Sequence, residues 1–417
     1  MSAEVHHITL RNGMRLLARR NTANPTVSLQ LSFAAGAVDD PRGKVGLANF
    51  ARALLTKGTA RHNAAWIAER IDDLGLELGF SSGRHTLGLG ARVLAENLRP
   101  ALKLIREIIA EPQPPAEEFE KMRARIATAI RRRLDDPASV AGETLAGMIY
   151  GPRHPYGLHS QGTLKSIEKI LLDDVLSFYE KSLEPGAAIA VVVGDVEPAE
   201  VEILAGESLG RWQGGGEFVL EPPKSVELPV EPQRRFVVMP EKTQNDVALG
   251  YQGIKRLDPD YHALQIGNTV LGRLSLGGRI GQRVRDREGM AYYAYTGFDA
   301  GVGAGPFVFR AGVAPQNVDR AVEIALEEMR SARGEGITAE EMEDAVLYLS
   351  GGVARQVETN AGMASTLLSQ EIFDLGDDHY LRYESILREL TLGDVNAALS
   401  KHLHPDNYCL AVAGAEV

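Results

Sequence analysis

The sequence predicts an α+β protein that is built from two similar halves, each with a mainly antiparallel sheet backed by helices. One observation is a segment that recurs in the second half at a constant offset. Another is that strands able to pair locally are mixed with amphipathic helices, which favours α+β over a doubly wound parallel sheet. The length of 417 residues also suits two domains of about 200 residues each.

The recurring segment has the pattern of a helix, a turn with proline and a buried strand. LDDVLSFYEKSLEPGAAIAVVVGDV at 172–196 aligns with LGDVNAALSKHLHPDNYCLAVAGAEV at 392–417, and the shared residues keep an offset of 220. A second echo pairs AEEFEKM at 116–122 with AEEMEDA at 339–345. Both copies of this echo open with acidic residues, as is typical of a first helical turn. Two copies of one architecture are the simplest interpretation.

A proline-rich segment separates the two halves. EFVLEPPKSVELPVEPQ at 217–233 carries four prolines and little helical pattern, so it is predicted to be an extended linker. The predicted domains are therefore an N-terminal domain at 1–215 and a C-terminal domain at 235–417, with the linker at 216–234.

The elements of the first half follow from their hydrophobic periodicity. Alternation predicts strands, and apolar residues three or four positions apart predict helices. In chain order the predicted elements are a strand at 26–36, helices at 45–57 and 66–75, a hairpin at 76–93, and helices at 98–111 and 116–135.

Composition and charge narrow the classes of protein. Apolar residues make up 44% and charged residues 24% of the chain, which is ordinary for a globular protein. The net charge of −11 argues against nucleic acid as a partner, because phosphate binding needs a basic surface. The single cysteine, Cys409, excludes an internal disulfide and a cysteine-based metal cluster.

The cellular location is predicted from two kinds of segment that are not seen in the sequence, a membrane span and a signal peptide. No window approaches the roughly 20 apolar residues of a membrane span, so no transmembrane segment is expected. No signal peptide is visible, which predicts a cytoplasmic location. The alternative is a periplasmic protein from which a signal peptide has been removed.

The stretch GLANFARALLTKGT at 46–59 resembles the metal-binding helix of the inverted-zincin peptidases. This family includes pitrilysin, insulin-degrading enzyme and the mitochondrial processing peptidase with its bacterial relatives. Its members carry H-x-x-E-H on a helix, often within G-x-A-H-F-x-E-H-x-x-F-K-G-T. The residues that keep this frame are Gly46, Ala48, Phe50, Lys57, Gly58 and Thr59. HPYG at 154–157 also matches the family.

The resemblance implies that every residue type needed to hold zinc has been replaced. Asn49 stands at the first histidine position, Arg52 at the glutamate and Ala53 at the second histidine. Ala129 stands at the third ligand position, ahead of the expected D-D-P turn at 135–137. A catalytic zinc needs three nitrogen or oxygen ligands and one open position, so this chain is expected to bind no metal and no other cofactor.

The four replaced positions also allow a simpler interpretation, an ordinary amphipathic helix with a polar face. A further hypothesis concerns Arg52, whose guanidinium would occupy the place of the metal and pair with a carboxylate.

GGRIGQRVRDREGMAYYAYTGF at 277–298 resembles the second-domain segment of the same family, S-R-L-x-x-x-x-R-E-K-R-G-L-A-Y-x-V. Arg285 falls on the later arginine, and Tyr292 follows it by seven residues. The resemblance implies that these two side chains hold the peptide and its tetrahedral intermediate at a zinc site on another domain. Taken singly, Arg285 reads as a solvated charge in a basic run, and Tyr292 as a core residue.

The stretch LGRLSLGG at 271–278 is rich in small residues. Gly272, Gly277 and Gly278 are predicted to form a substrate loop that lets a peptide approach closely. A flexible surface turn is the equal alternative for this stretch.

Together these matches imply one half of a clam-shell chamber. The other half would be a paralogous subunit with an intact H-x-x-E-H motif. The principal prediction is a non-zinc subunit of a heterodimeric zinc metallopeptidase, inactive alone, that acts on peptides or small unfolded proteins. Zinc is expected in the partner, with Arg285 and Tyr292 supplied in trans. Peptides would add as a strand to an exposed sheet edge.

Three alternatives stay open. The chain could be an inert structural subunit, a stand-alone peptide-binding module that acts as a homodimer, or a hydrolase with different chemistry. The spacing of Arg285 and Tyr292 argues against the first. The lack of a G-x-S-x-G motif and the predicted buried position of Cys409 argue against the last.

Overall fold

The computed structural model describes residues 4–274 and 277–416, which form two β-sheets with helices. The strands are β1 His6–Thr9, β2 Arg15–Arg20, β3 Thr26–Phe33, β4 Glu77–Ser82, β5 Leu87–Leu94, β6 Ala188–Gly194, β7 Gln233–Val238, β8 Asn245–Gln252, β9 Ala291–Ala300, β10 Ala304–Val313 and β11 Cys409–Gly414. The helices of the first half are α1 Leu47–Leu54, α2 Ala64–Asp73, α3 Leu98–Ala110, α4 Ala116–Leu134, α5 Pro137–Tyr150, α6 Leu164–Ile167, α7 Leu172–Ser182 and α8 Pro198–Glu207. The helices of the second half are α9 Tyr261–Gly272, α10 Gly278–Gly281, α11 Val318–Gly334, α12 Ala339–Gln356, α13 Asn360–Ile372, α14 His379–Glu389 and α15 Leu392–His402.

The first compact unit holds a six-stranded sheet with the order β1-β2-β6-β3-β5-β4. Only the β2–β6 pairing is parallel among the described strands of this sheet. Helix α13 packs on β3 and β6. It does so because Met363, Ala364 and Leu367 bury their side chains against the apolar face that β6 presents on that side. The other face covers the main core of the unit, which includes α1 and α4.

The second compact unit holds a five-stranded sheet with the order β7-β11-β8-β10-β9. Here β11 pairs parallel with β7, and the other described pairings are antiparallel. Helix α5 packs on β8 and β11. Its Ala141 and Leu145 meet Ala248 and Ala411 on the face away from the main core. Strand β9 lies at one edge of this sheet, and β7 lies at the other.

The predicted fold class is confirmed: two mainly antiparallel sheets are each backed by helices. The internal repeat is present in three dimensions, because α7 and β6 match α15 and β11 in order and in pairing. Both copies of the strand are buried along their whole length. The acidic echo marks the starts of α4 at Ala116 and of α12 at Ala339.

The compact units are not continuous in sequence. One comprises Met1–Ile130, His159–Leu220 and Ala354–Tyr380. The other comprises Arg131–Leu158, Glu221–Val353 and Leu381–Val417. This division differs from a single cut at the linker, because the apolar faces of α5 and α13 bury themselves on sheets of the opposite half of the sequence.

Two further sequence features have a place in the structure. Residues 217–232, which make up most of the predicted linker, carry no helix or strand. Among the described residues, no helix is both long enough and apolar enough to cross a membrane.

Candidate functional site

Helix α1, which carries the first resemblance, is anchored at its start by Asp40. The two carboxylate oxygens of Asp40 accept hydrogen bonds from the backbone N–H groups of Gly46 at 2.6 Å and Ala48 at 2.8 Å. A negative charge at this end of a helix is favourable. Burial nevertheless outweighs these bonds and raises the pKa of Asp40 to about 6.

Two aromatic side chains fix the middle of α1. The ring of Phe50 stacks on that of Phe119 in α4, with 4.9 Å between the centroids. The phenol of Tyr179 donates a hydrogen bond to the carbonyl oxygen of Ala51 at 2.7 Å. Helices α1 and α4, which correspond to the zinc-binding helices of the family that the sequence resembles, are therefore packed against each other.

Arg52 is held by neutral acceptors. Its Nη2 donates a hydrogen bond to Oδ1 of Asn49 at 3.0 Å, and its Nη1 donates to the carbonyl oxygen of Phe80 in the edge strand β4 at 3.4 Å. Burial lowers the pKa of Arg52, and its Nε is buried without a hydrogen-bond partner among the described residues.

The hypothesis that Arg52 pairs with a carboxylate is wrong: among the described residues Arg52 forms no ion pair. Asn49 stands one helical turn earlier and offers its amide oxygen instead. The resemblance places Asn49 at the first histidine position and Arg52 at the glutamate position. On that alignment, Asn49 provides the hydrogen-bond acceptor for Arg52.

The two alanines of the motif offer no polar atom. Ala53 is half-buried against the core of the first unit. Ala129 lies exposed on α4. Neither methyl group has a lone pair to donate to a metal ion.

One group of potential metal-ligating side chains occurs among the described residues, and it lies in the second unit. Atoms of Asp258, Asp260 and His402 lie within 4.8 Å of one another. Oδ2 of Asp260, however, already accepts hydrogen bonds from Nζ of Lys401 at 2.6 Å and from Nε2 of His402 at 2.8 Å. Asp260 is thus engaged with a lysine ammonium and an imidazole, and these contacts form a hydrogen-bonded ion-pair network.

Arg285 lies in a six-residue π-helical turn, Gln282–Arg287, that directly follows α10. Such turns are rare and often occur at functional sites. Gly289, with φ of 64°, turns the chain into β9, which carries Tyr292 near its start. The side chain of Arg285 is 25% exposed, and its Nε donates to Oδ1 of Asp286 at 2.8 Å.

Two neighbouring arginines of this basic run serve a structural purpose. Arg279 in α10 and Arg283 in the π-helical turn make ion pairs with glutamates of α11 and α12. The pairs are Arg279 with Glu341 at 2.5 Å, and Arg283 with Glu327 at 2.6 Å and Glu328 at 2.8 Å. The run is therefore not a uniform solvated face.

Arg285 and Tyr292 line the same groove in the second unit, with a volume of about 860 Å³. Its walls come from the end of α9, the loop that follows, the π-helical turn, β9 and α12. The lining residues are Gly272, Arg273, Gly277, Arg285, Ala291, Tyr292, Tyr293, Ala294, Tyr295 and Tyr348. The segments that the sequence singled out in this half thus meet at one place.

The tyrosines of β9 differ in what they do. Tyr292 is 90% exposed, so it is not a core residue, and its phenol is accessible to a ligand. Tyr293 instead donates a hydrogen bond to Asp246, and burial raises the pKa of its phenol. Burial likewise raises the pKa of Asp246. Tyr293 is committed to this contact, which leaves Tyr292 as the more available hydrogen-bond donor.

The glycines of the predicted substrate loop allow close approach to the chain's own strand. A Cβ atom on Gly272 would lie 2.2 Å from the backbone nitrogen of Thr296, and one on Gly277 would lie 2.4 Å from the carbonyl oxygen of Ala294. Gly278 is equally tight, with a Cβ 2.3 Å from the carbonyl oxygen of Val270. Residues 275 and 276 of this stretch lie outside the described residues.

Sequence reasoning missed Arg273 and Tyr348 as lining residues of the groove. Arg273 lies within the glycine-rich stretch at 271–278, where the small residues are the dominant pattern. Tyr348 comes from α12, far along the chain, and no local pattern points to it. The acidic start of α12 predicts the helix but not which of its residues face the groove.

Comparison with known protein families decides the classification. Residues 15–148 match the family model described as "Insulinase (Peptidase family M16)". Residues 169–349 match the model described as "Peptidase M16 inactive domain". The chain belongs to the M16 peptidase family. The resemblance to pitrilysin-like inverted zincins is thereby confirmed.

Relatives of this M16 chain match it over nearly its whole length. An uncharacterized zinc protease of Mycobacterium leprae is 27% identical, over 99% of this chain and 92% of the relative. The uncharacterized zinc protease YmxG of Bacillus subtilis is 22% identical, over 98% of each.

Solved structures agree with the M16 fold. A peptidase M16 inactive domain from Pseudomonas fluorescens superposes with a TM-score of 0.91 and 27% identity, covering 99% of this chain and 98% of the other. A protease from Helicobacter pylori has a TM-score of 0.90 at 18% identity, over 99% and 100% of the two chains, which shows a shared fold.

The zinc of M16 peptidases does not fit the residues of this chain. The acceptor oxygen of Asn49 is used by Arg52, whose guanidinium brings a fixed positive charge. The two remaining positions, Ala53 and Ala129, carry only methyl groups. A dication would lose its ligands and meet a cation instead.

Proposed function

We propose that this M16 chain is the non-zinc subunit of a heterodimeric zinc metallopeptidase that acts on peptides or small unfolded proteins. Its partner would be a paralogous subunit with an intact H-x-x-E-H motif. The observation that carries the proposal is the groove, in which Arg285 and the exposed phenol of Tyr292 lie together. The chain would provide the residues that bind the peptide and stabilise the transition state, whereas the partner would provide the residues that bind zinc.

The chemistry of peptide hydrolysis explains what the two side chains would do. Negative charge develops on the carbonyl oxygen as the tetrahedral intermediate forms. A phenolic O–H that is aimed at this position stabilises the transition state more than the ground state. Tyr292 can serve in this way because its side chain is exposed in the groove. Zinc in the partner would supply the activated water.

Arg285 is suited to holding the substrate. A guanidinium offers five N–H donors in a fixed plane, so it can bind backbone carbonyl groups of a peptide while keeping its own ion pair. Its contact with Asp286 and its place in the π-helical turn fix its direction. Arg285 would then set the position of the scissile bond, and Tyr292 would act on the bond itself.

A mixing experiment tests the proposal. The chain is combined with a zinc-bearing M16 relative from the same source, and cleavage of a quenched fluorescent peptide is measured. We expect neither the chain alone nor the chain with added zinc to cleave, and the mixture to cleave at least tenfold faster than the relative alone. An equal rate with and without this chain would contradict the proposal.

The alternative is a catalytically inert structural or peptide-binding member of the family. The ion pair between Arg285 and Asp286 is the observation that favours this alternative, because a purely structural arginine would make the same contact. A stable complex in which this chain adds no cleavage would support this alternative.

A further inference from the structure

The charges in the groove suggest which peptides it prefers. Two of its lining residues carry a charge at neutral pH, Arg273 and Arg285, and both are cationic. The chain as a whole has a net charge of −11. The charge of the groove is therefore opposite in sign to the net charge of the protein. The electrostatic field of such a local group of charges favours ligands of opposite charge.

Arg273 differs from the neighbouring arginines in its contacts. It follows α9 directly and is exposed. Among the described residues it forms no ion pair, whereas Arg279 and Arg283 are each paired with glutamates. Arg273 therefore keeps a guanidinium whose charge is not compensated within the part of the chain that the structure describes.

The guanidinium of Arg273 lies beside β9. A Cβ atom on Gly297 would lie 3.7 Å from its Nη1. Side chains of residues two apart in a strand point to the same face, so Arg273 shares a face with Tyr295. The side chain of Tyr295 is 40% exposed.

A planar guanidinium beside a phenol is a good receptor for a carboxylate. Arginine binds carboxylates through two parallel N–H···O bonds, and a phenol can donate a third. Among the residues that line the groove there is no carboxylate to compete for Arg273. A lysine or arginine side chain of a ligand would instead meet the positive charge of Arg273, which is not compensated within the described part of the chain.

We propose that Arg273 is a specificity-determining residue that selects peptides with an aspartate or glutamate side chain. The inference rests on the proposed function, because it takes the groove to be the place where peptides bind. It goes further by naming the chemical class of the substrate. Arg273 binds the acidic side chain, and Arg285 and Tyr292 engage the backbone.

Peptide binding by the full chain, without any partner, tests this inference. Three fluorescent peptides of identical sequence carry Glu, Gln or Lys at one central position, and all three are amidated at the C terminus. We expect the Glu peptide to bind about three- to tenfold more tightly than the Gln peptide in fluorescence anisotropy, because the site is partly exposed. The Lys peptide should bind most weakly, and the preference should shrink as salt is raised.

Two variants show whether Arg273 causes the preference. Arg273→Gln should abolish the difference between the Glu and Gln peptides, and Arg273→Lys should retain part of it. Arg235→Gln is the matched control, since Arg235 is exposed in β7 at the opposite edge of the same sheet. It removes one positive charge as well, so it should leave the preference intact.

Three results would overturn the inference. Equal affinity for the Glu and Gln peptides is one, and an unchanged preference in Arg273→Gln is the second. The third requires a fourth peptide, the Gln sequence with a free C-terminal carboxylate: if only this peptide loses affinity in Arg273→Gln, Arg273 binds chain ends instead of acidic side chains.

Failure of the inference can be told from failure of the proposed function. If the mixture with a zinc-bearing relative cleaves peptides but shows no dependence on acidic residues, only the inference fails. If the isolated chain prefers acidic peptides through Arg273 but adds nothing to cleavage, only the proposed function fails.

Discussion

Nη2 of Arg52 donates a hydrogen bond to Oδ1 of Asn49, three residues earlier on α1, at 3.0 Å. The resemblance to H-x-x-E-H aligns these two positions with the general base and the first zinc ligand of an intact motif. Here the two side chains contact each other. We propose that they replaced the metal-binding residues together, because one new residue satisfies the other.

Restoring the ligands should restore metal binding. The variant with Asn49→His, Arg52→Glu, Ala53→His and Ala129→Glu recreates the full donor set on α1 and α4. We expect it to bind about one zinc ion per chain after dialysis, measured by elemental analysis. The single Arg52→Glu variant is the control, and it should bind none because it lacks the imidazoles. A quadruple variant without zinc would show that the backbone has changed as well.

The phenol of Tyr292 should matter for the rate in the two-subunit mixture. Replacing it by Phe keeps the ring but removes the hydrogen-bond donor to the developing charge. We expect kcat to fall by about ten- to a thousandfold, with a smaller change in KM. Tyr408→Phe, which changes a half-buried tyrosine outside the groove, should have little effect. Full activity of Tyr292→Phe would refute the role proposed for this phenol.

Gly272 should not tolerate any side chain. In Gly272→Ala the new methyl group would lie 2.2 Å from the backbone nitrogen of Thr296, so α9 and β9 would have to separate. We expect a loss of about 1–3 kcal/mol in the free energy of unfolding, measured with urea. Gly301→Ala makes the same change where no atom lies within 4 Å, and it should be close to neutral. Equal stability of the two variants would contradict the close packing of this loop.

Asp40 should make stability depend on pH in the mildly acidic range. Its pKa is raised from 3.8 to about 6 in the folded protein, mainly by burial. The folded state therefore favours the protonated form. The stabilising contribution is complete below pH 3.8 and is lost as the pH rises through about 6.

The comparison of wild type with Asp40→Asn isolates this contribution. The unfolding free energy of the wild type relative to the variant should fall between pH 4 and pH 7, by at most about 3 kcal/mol. Urea unfolding of both proteins at several pH values measures the difference. Parallel pH profiles of the two proteins would show that the carboxyl group does not titrate in this range.

The sequence predicted the fold well because local patterns and an internal repeat agreed. The constant offset between 172–196 and 392–417 placed α7 with β6 and α15 with β11 correctly. The placement of α5 and α13 could not be predicted. Their apolar faces are ordinary, and which sheet covers them depends on contacts between residues far apart in the chain.

The groove was predicted only in part for a related reason. Arg285 and Tyr292 were predicted because their spacing along one segment resembles the second-domain segment quoted above. Arg273 and Tyr348 reach the groove from separate elements, so their role depends on tertiary placement. Arg52 was expected to pair with a carboxylate, yet its guanidinium donates hydrogen bonds to the neutral oxygens of Asn49 and Phe80.

The placement of α5 and α13 has a practical consequence for anyone who truncates this protein. A fragment that ends at the linker would carry α5 without the sheet it covers, and it would leave β3 and β6 bare where α13 belongs. We expect each fragment to expose an apolar surface and therefore to aggregate. Neither half of the sequence contains all the segments of one compact unit. We therefore expect soluble protein only when both fragments are produced in the same cell.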